Sequence, residues 1–192
     1  MSRPRHTLVG HAIVSADGLI ADEEGRFPPA LRIEADQRRF QAALDAADVT
    51  LIGRLGHEAH GNPKGRRRLV LTRQVPGLEE GARTTRAPGR TDFLNPQGMP
   101  LEEALDLLFP QGAYVAVVGG TAIFDHVLAG PGFARFELVT AGGVHLGAGR
   151  PCFGEQGPGG PEALLEGLGY RAANRSVLDP AGPVTLCVFS RG

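Results

Sequence analysis

The stretch that decides the fold runs Ala113-Tyr-Val-Ala-Val-Val-Gly-Gly-Thr-Ala-Ile-Phe-Asp-His-Val-Leu128. Its first part, Tyr114 to Val118, is an unbroken apolar run rich in β-branched residues. Such a run is typical of a strand that is buried on both faces in a parallel sheet. Gly119 and Gly120 predict a tight turn, and Thr121 is a candidate cap for the helix that follows. The first N–H groups of a helix have no partners within it, so the turn predicts a phosphate site, with a plain strand-to-helix turn as the alternative.

Strand and helix patterns alternate along the rest of the chain. Short apolar runs predict strands at residues 8–14, 49–52, 69–71, 114–118, 135–140 and 185–190. Helical spacing predicts helices at about 30–46 and 101–109, with short ones after residues 53 and 120. This alternation indicates an α/β fold with a mainly parallel sheet. The Gly/Pro-rich segment 154–161 is interpreted as a surface loop, and we expect one domain, residues 1–192.

The composition is that of an ordinary globular protein. The chain has 192 residues, 42% of them hydrophobic, and a formal net charge of −1. This charge provides no general attraction to nucleic acid or acidic membranes, and no apolar run is long enough to span a bilayer. The N-terminal sequence lacks the apolar region of a signal peptide, and Cys152 and Cys187 predict neither a disulfide scaffold nor a zinc site. We therefore expect a cytoplasmic protein with no nucleic-acid or membrane partner.

Polar or glycine residues follow three of the predicted strands. They are Gly53-Arg54, Thr72-Arg73 and Gly119-Gly120. Because ligands of open α/β sheets bind beyond the carboxyl ends of strands, we expect these groups to converge on one ligand. Two arginines beside free backbone N–H groups suit a phosphorylated dinucleotide, and ordinary solvated charges are the alternative. The G-x-G-x-x-G of the Rossmann fold is absent.

Five motifs together resemble those of the dihydrofolate reductase superfamily, and in particular its branch of riboflavin-biosynthesis reductase domains. The motifs are Ser15-Ala-Asp-Gly-Leu-Ile-Ala21, Leu51-Ile-Gly-Arg54, Leu69-Val-Leu-Thr-Arg-Gln74, Val117-Val-Gly-Gly-Thr-Ala-Ile-Phe124 and His145-Leu-Gly-Ala-Gly-Arg-Pro-Cys-Phe153. They follow the family's order at compatible intervals. The resemblance implies a three-layer fold whose mainly parallel central sheet has about eight strands and an antiparallel C-terminal strand. It also implies NADPH as the cofactor and a homodimer.

The resemblance further implies which residues hold NADPH. Those on the side of the adenosine 2′-phosphate would be Gly53, Arg54, Leu55, Thr72 and Arg73. Those on the pyrophosphate would be Gly119, Gly120, Thr121, Ala122 and Ile123, and the preceding Val118 would also contact the cofactor. The first strand and its loop, including Gly18, would border the nicotinamide. Ala12 and Ile20 would contact the cofactor, and Ile13 and Asp17 the substrate.

The substrate side depends on the first long helix. Asp36 and Phe40 lie one helical turn apart, a spacing at which the resemblance implies that the carboxylate binds an aminopyrimidine-like edge and assists proton delivery. Partial burial would raise the pKa of this carboxyl toward that of a working proton donor. Glu34 is a competitor for the role, and a solvated helix face is the other alternative. The resemblance implies that Thr140 supports the carboxylate.

These expectations predict an NADPH-dependent reductase that transfers hydride to a pteridine, an aminopyrimidine or a related heterocycle. The loop after residue 15 and the segment after His145 are closer to the riboflavin-type branch, and the chain has no tryptophan. True dihydrofolate reduction is one alternative, and an NADP-binding sensor or assembly protein without turnover is another. His57 and His60 have a helical spacing, but they do not form His-Glu-x-x-His, so we predict no metal.

Overall fold

The computed structural model describes residues 6–81 and 89–191. In chain order its elements are β1 (His6–Ser15), β2 (Leu19–Ala21), α1 (Glu34–Ala46), β3 (Val49–Gly53), α2 (Arg54–Ala59), β4 (Arg68–Leu71), β5 (Leu78–Glu79), β6 (Thr91–Leu94), α3 (Leu101–Leu108), β7 (Ala113–Val117), α4 (Thr121–Ala129), β8 (Arg135–Ala141), β9 (Arg150–Pro151), α5 (Gly160–Gly167), β10 (Tyr170–Asp179) and β11 (Val184–Arg191). Within these described ranges, no helix is long and apolar enough to cross a membrane.

Nine of these strands form the central sheet, in the order β10-β11-β8-β1-β7-β3-β4-β6-β5. The six strands from β8 to β6 run parallel to one another, and β11, β10 and β5 are antiparallel to their neighbours. The remaining strands, β2 and β9, form a separate two-stranded sheet. The predicted α/β class, the mainly parallel sheet and the antiparallel C-terminal strand are therefore confirmed.

Several elements differ from the sequence prediction. The helix expected from about residue 30 begins only at Glu34, because Pro28 and Pro29 lead into a separate 3-10 turn, Pro29–Leu31. The predicted loop 154–161 ends early, since α5 begins at Gly160. Strands β5, β6 and β10 and the small sheet of β2 and β9 were not predicted. Strand β10 has seven consecutive exposed residues, 171–177, so no apolar pattern marks it.

The sheet is covered on both faces. The larger core cluster lies on the face covered by α4, where the rings of Phe124 and Phe136 meet with centroids 5.1 Å apart. Gly10 of β1 allows this contact, because a side chain there would overlap the Phe136 ring. The smaller cluster lies on the other face and includes Ile13 and Val139. The packing of Phe124 holds α4 against the sheet immediately after the two-glycine turn.

Candidate functional site

Three of the parallel strands end side by side at one edge of the sheet. Strand β3 lies between β7 and β4, with Leu51 paired to Val117 and Gly53 paired to Leu71. Because the three strands run in the same direction, the residues that follow them, 53–54, 72–73 and 118–120, share the carboxyl edge. The sequence-predicted ligand groups are thus neighbours in the structure.

The two-glycine turn leaves an open helix start. Gly119 has a φ of +84°, and a Cβ there would lie 2.7 Å from the Phe124 ring. Gly120 is the residue that precedes α4, and a Cβ there would have no atom within 4 Å. The N–H groups of Gly120, Thr121 and Ala122 donate no hydrogen bond to any described residue. Free N–H groups facing open space at a helix start are a suitable anion site.

The prediction that Thr121 caps α4 is wrong. Its hydroxyl donates instead to the carbonyl oxygen of Pro151 in β9, at 2.6 Å, and no side chain caps this helix. The segment after β9 is also held against α4, because the Asp125 carboxylate accepts a hydrogen bond from Gly154 N at 3.1 Å. The Thr121 side chain therefore anchors β9, and the helix start stays available to a ligand.

The end of β3 packs directly against this helix start. A Cβ at Gly53 would lie 3.2 Å from Cγ1 of Ile123, so a larger residue there would require the Ile123 side chain to shift. Arg54 begins α2, and its Nη1 donates to both carboxylate oxygens of Glu58, at 2.8 and 2.9 Å. Leu55 is 63% exposed. An exposed pair such as Arg54–Glu58 is weak, so it would not prevent the guanidinium from binding a phosphate.

The residues after β4 have different environments. Thr72 is buried, and its hydroxyl oxygen accepts a hydrogen bond from Gln74 N at 3.2 Å. The next side chain, Arg73, is exposed and makes no hydrogen bond to the described residues. Thr72 therefore shapes the turn, while Arg73 offers a free cation at the same edge as Arg54.

The loop after β1 is tied to the loop after β8 by Asp17. The Asp17 carboxylate accepts hydrogen bonds from Leu146 N at 3.2 Å and from Gly147 N at 2.7 Å. Desolvation opposes the effect, but hydrogen bonds from Ser15 and from these two N–H groups lower the pKa of Asp17 to about 2. This carboxylate, predicted to border the substrate, is engaged in holding two loops together.

The other residues predicted beside the nicotinamide divide between the two sheet faces. Ala12 belongs to the larger core cluster and Ile13 to the smaller one, as neighbouring strand residues must. Ile20 of β2 packs, partly buried, against the larger cluster. The backbone of Gly18 is held by Gln156, whose amide nitrogen Nε2 donates to the Gly18 carbonyl oxygen at 2.9 Å.

Asp36, and not Glu34, is the buried carboxylate of α1. The Asp36 side chain is 9% exposed and accepts a hydrogen bond from Arg39 Nη2 at 2.9 Å, whereas Glu34 is 82% exposed and pairs with Arg38. Burial raises the pKa of Asp36, and Arg39 acts in the opposite direction. Both the inward-facing position and the direction of this shift suit a proton donor.

Phe40 lies one turn after Asp36, as the spacing predicts, and packs on β1. Its ring meets the His11 ring edge to face, with centroids 6.2 Å apart and an interplanar angle of 66°. The His11 side chain is fully buried. In this structure, Phe40 therefore contacts a neighbouring histidine.

The prediction that Thr140 supports Asp36 is wrong. Side chains alternate along β8, and Glu137 points to the face that carries α1, where it contacts Arg39. Thr140 is three residues later and so points to the opposite face. The residue that reaches Asp36 from β8 is Glu137, acting through Arg39. A charged residue inside an otherwise apolar strand was the sequence signal for it.

The two histidines of α2 have other partners. The Nδ1 atom of His57 lies 3.1 Å from Nη1 of Arg68, whose guanidinium also donates to the carbonyl oxygens of His60 and Gly61. Desolvation and the Arg68 charge lower the pKa of His57. Among the residues that the structure describes, no group of three or more His, Cys, Asp or Glu side chains could hold a metal ion.

Comparisons with known proteins identify the fold. No family model and no curated protein matches the chain. A solved structure of a provisionally assigned riboflavin biosynthesis protein from Shewanella sp. PV-4 matches 97% of this chain and 99% of its own length. Its TM-score is 0.67 and its sequence identity 16%.

A second structure is the diaminohydroxyphosphoribosylaminopyrimidine deaminase/5-amino-6-(5-phosphoribosylamino)uracil reductase from Thermotoga maritima. It matches 98% of this chain with a TM-score of 0.66 and 17% identity, and this chain spans 57% of its length. Both likenesses support the fold that the sequence motifs imply. The chain has the dihydrofolate-reductase-like fold of the riboflavin-type reductases.

Proposed function

We propose that this protein is an NADPH-dependent reductase that transfers hydride to a pteridine, an aminopyrimidine or a related heterocycle. The observation that carries the proposal is the open start of α4, which lies beside two arginine-bearing strand ends at one sheet edge. The fold shared with reductases of the riboflavin type supports the same class of activity.

The residues at this edge fit a phosphorylated dinucleotide. The free N–H groups of Gly120, Thr121 and Ala122 would hold the pyrophosphate, and the absence of a side chain at Gly120 lets it approach the backbone. Arg54 and Arg73 would bind the 2′-phosphate, for which a guanidinium is well suited. This last contact is the basis for proposing NADPH rather than NADH.

The chemistry divides between cofactor and protein. Bound NADPH supplies the hydride, and the chain supplies orientation and a proton. The loops that Asp17 ties together would border the nicotinamide. Asp36 would bind the N–H edge of the heterocycle and deliver the proton, because burial favours its protonated form.

Calorimetric titration with NADPH and NADH tests the cofactor site. We expect NADPH to bind more tightly than NADH, and Arg54→Ala to weaken NADPH binding by about tenfold or more, the value of a lost charge-assisted hydrogen bond. Arg38→Ala is the matched control, because Arg38 also pairs with a carboxylate four residues away on an exposed helix face. This variant should bind NADPH like the unmodified protein.

The titration has outcomes that separate the alternatives. If neither nucleotide binds, the reductase proposal is refuted. If NADPH binds but is not oxidised with dihydrofolate or any member of an aminopyrimidine panel, the protein is an NADP-binding sensor or assembly protein. Turnover of dihydrofolate alone would identify a true dihydrofolate reductase.

Asp36→Asn tests the proton donor. We expect turnover with the panel substrate to fall by at least about a hundredfold, the usual contribution of a general acid, while NADPH binding is retained. Glu34→Gln on the exposed face of the same helix is the control. Full activity in Asp36→Asn would exclude this carboxyl as the donor.

The expected homodimer and cytoplasmic location are part of the proposal. Light scattering after size-exclusion chromatography measures the molar mass directly, and a mass of one chain, 20.2 kDa, would refute the dimer.

A further inference from the structure

A buried charge cluster lies between α1 and the sheet, on the face opposite α4. Its central members are Asp36 and Arg39 of α1, His11 of β1 and Glu137 of β8. Their side chains are 9%, 18%, 0% and 13% exposed, respectively. Buried ionisable groups are costly unless they are paired, so their placement together calls for an explanation beyond packing.

Arg39 joins the two carboxylates of this cluster. Its Nη2 donates to Asp36 Oδ1 at 2.9 Å, and its Nη1 donates to Glu137 Oε2. The other oxygen of Glu137 accepts a hydrogen bond from Arg135 Nε at 3.0 Å, and Oε2 also lies 3.3 Å from His11 Nδ1. Glu137 therefore has three basic neighbours in contact, whereas Asp36 has one.

The second oxygen of Asp36 is available. No described residue donates a hydrogen bond to Oδ2, and this atom keeps contact with solvent. By contrast, both ring nitrogens of His11 and the Nε of Arg39 are fully buried without a hydrogen bond. Within the cluster, Asp36 is thus the member whose free oxygen a ligand can reach.

We propose that Arg39 and Glu137 are positioning residues for Asp36: Glu137 anchors the Arg39 guanidinium, and Arg39 holds one oxygen of Asp36 so that the other is presented to a ligand. This inference rests on the proposed function, in which Asp36 binds the heterocycle. It assigns to a carboxylate–guanidinium pair the supporting role that the sequence analysis gave to Thr140.

The unequal distribution of cations gives the two carboxyls different properties. For Glu137, desolvation is outweighed by His11, Arg39 and Arg135, and its pKa falls to about 2. For Asp36, desolvation dominates, Arg39 and His11 offset it only in part, and the charge of Glu137 adds to it, so its pKa is raised. Glu137 is therefore the permanent anion, and Asp36 is the carboxyl that exchanges a proton.

One further titratable group faces the cluster. Tyr114 of β7 lies near Arg135 and Glu137, and burial raises its pKa above the ordinary value of 10.0. It stays neutral throughout the range in which Asp36 titrates, so its ionisation does not contribute to a midpoint measured there.

Carbon-13 NMR of the aspartate carboxyl groups, recorded against pH without ligand, tests the inference. Arg39→Gln is expected to move the Asp36 midpoint to higher pH, and Arg39→Lys to restore most of the original value because it keeps the charge. Arg38→Gln is the matched control: it is the same substitution one position earlier, on an exposed pair with Glu34, and should leave the midpoint unchanged. Loss of the signal in Asp36→Asn assigns the resonance.

Glu137→Gln provides a second, opposite test. Without the Glu137 carboxylate, the Arg39 charge acts on Asp36 alone, so the titration midpoint of Asp36 should move to lower pH. A general loosening of the fold would move both variants in the same direction. A midpoint that neither substitution shifts, or that both shift in one direction, would overturn the proposal. If Glu137→Gln does not fold, the proposal is decided by comparing the Asp36 midpoints of Arg39→Gln and Arg39→Lys.

The titration needs neither NADPH nor a substrate, so its result is independent of the calorimetric one. Coupled midpoints in a protein that binds no NADPH would support the positioning of Asp36 and refute only the reductase. If turnover is found, Arg39→Gln should also move the alkaline limb of the pH–rate profile to higher pH. The reason is that a proton donor with a higher pKa stays protonated up to a higher pH. Arg38→Gln should not move it.

Discussion

Replacing Glu137 with glutamine removes the anion on which three basic side chains of the α1 face converge. The pKa of this carboxyl is about 2, compared with its ordinary value of 4.5, because His11, Arg39 and Arg135 together outweigh its desolvation. One pKa unit corresponds to about 1.4 kcal/mol, so the ionised carboxylate contributes roughly 3 kcal/mol to the free energy of unfolding. Removing one partner of a buried ion pair typically costs about 3–5 kcal/mol, which is the same size.

This contribution has a defined pH dependence. Because the pKa is lower in the folded chain than in the unfolded chain, the stabilisation is fully present above about pH 4.5 and is lost as the pH falls toward about 2. The difference in unfolding free energy between the unmodified protein and Glu137→Gln should therefore be roughly 3 kcal/mol at pH 7 and clearly smaller at pH 3.5.

Urea unfolding followed by circular dichroism at these two pH values measures the difference. Glu34→Gln is the control, since Glu34 is 82% exposed and its pair with Arg38 should contribute no more than about 0.5 kcal/mol. The reasoning is refuted if Glu137→Gln is as stable as the control at pH 7, or if its deficit grows in acid.

Two further substitutions test the packing around the site. Gly119→Ala should lower the free energy of unfolding by about 1–3 kcal/mol, because the residue has a positive φ and its new methyl group would meet the Phe124 ring. Gly120→Ala has open space around it, so it should leave thermal stability nearly unchanged but weaken NADPH binding. Tyr170→Phe should cost about 1–3 kcal/mol in urea unfolding, since the buried hydroxyl oxygen accepts the Phe133 N–H at 2.8 Å and the variant leaves that donor unpaired.

The central sheet was predictable because parallel strands are buried on both faces. Strand β7 has four buried residues among its five, which in the sequence is an unbroken apolar run that needs no knowledge of its neighbours. Strand β10 is the opposite case. It is an edge strand whose pairing with β11 supplies hydrogen bonds but little burial, so its residues 171–177 carry no apolar signal.

The sheet edge of the candidate site was predictable for a related reason. Strands connected by helices run parallel, so residues that follow them meet at one edge whatever the strand order. The role of a single polar side chain was not predictable in this way. Thr121 could cap its helix or bind across to β9, and only the position of Pro151 decides between them. Thr140 lies on the face opposite α1, because successive side chains along a strand point to opposite faces of the sheet.

The proposed cofactor contacts and the proposed proton donor differ in how they respond to pH, and this difference can be measured. The proposed NADPH contacts use backbone N–H groups at the start of α4 and the guanidinium of Arg54, none of which titrates near neutrality. On the α1 face, the raised pKa of Asp36 makes the proton supply depend on pH. We therefore expect the calorimetric affinity for NADPH to change little between pH 7 and 9, while any turnover falls as the pH rises. A tenfold loss of affinity over that range would show that a titrating group takes part in cofactor binding, and the proposed separation of cofactor binding from proton supply would be wrong.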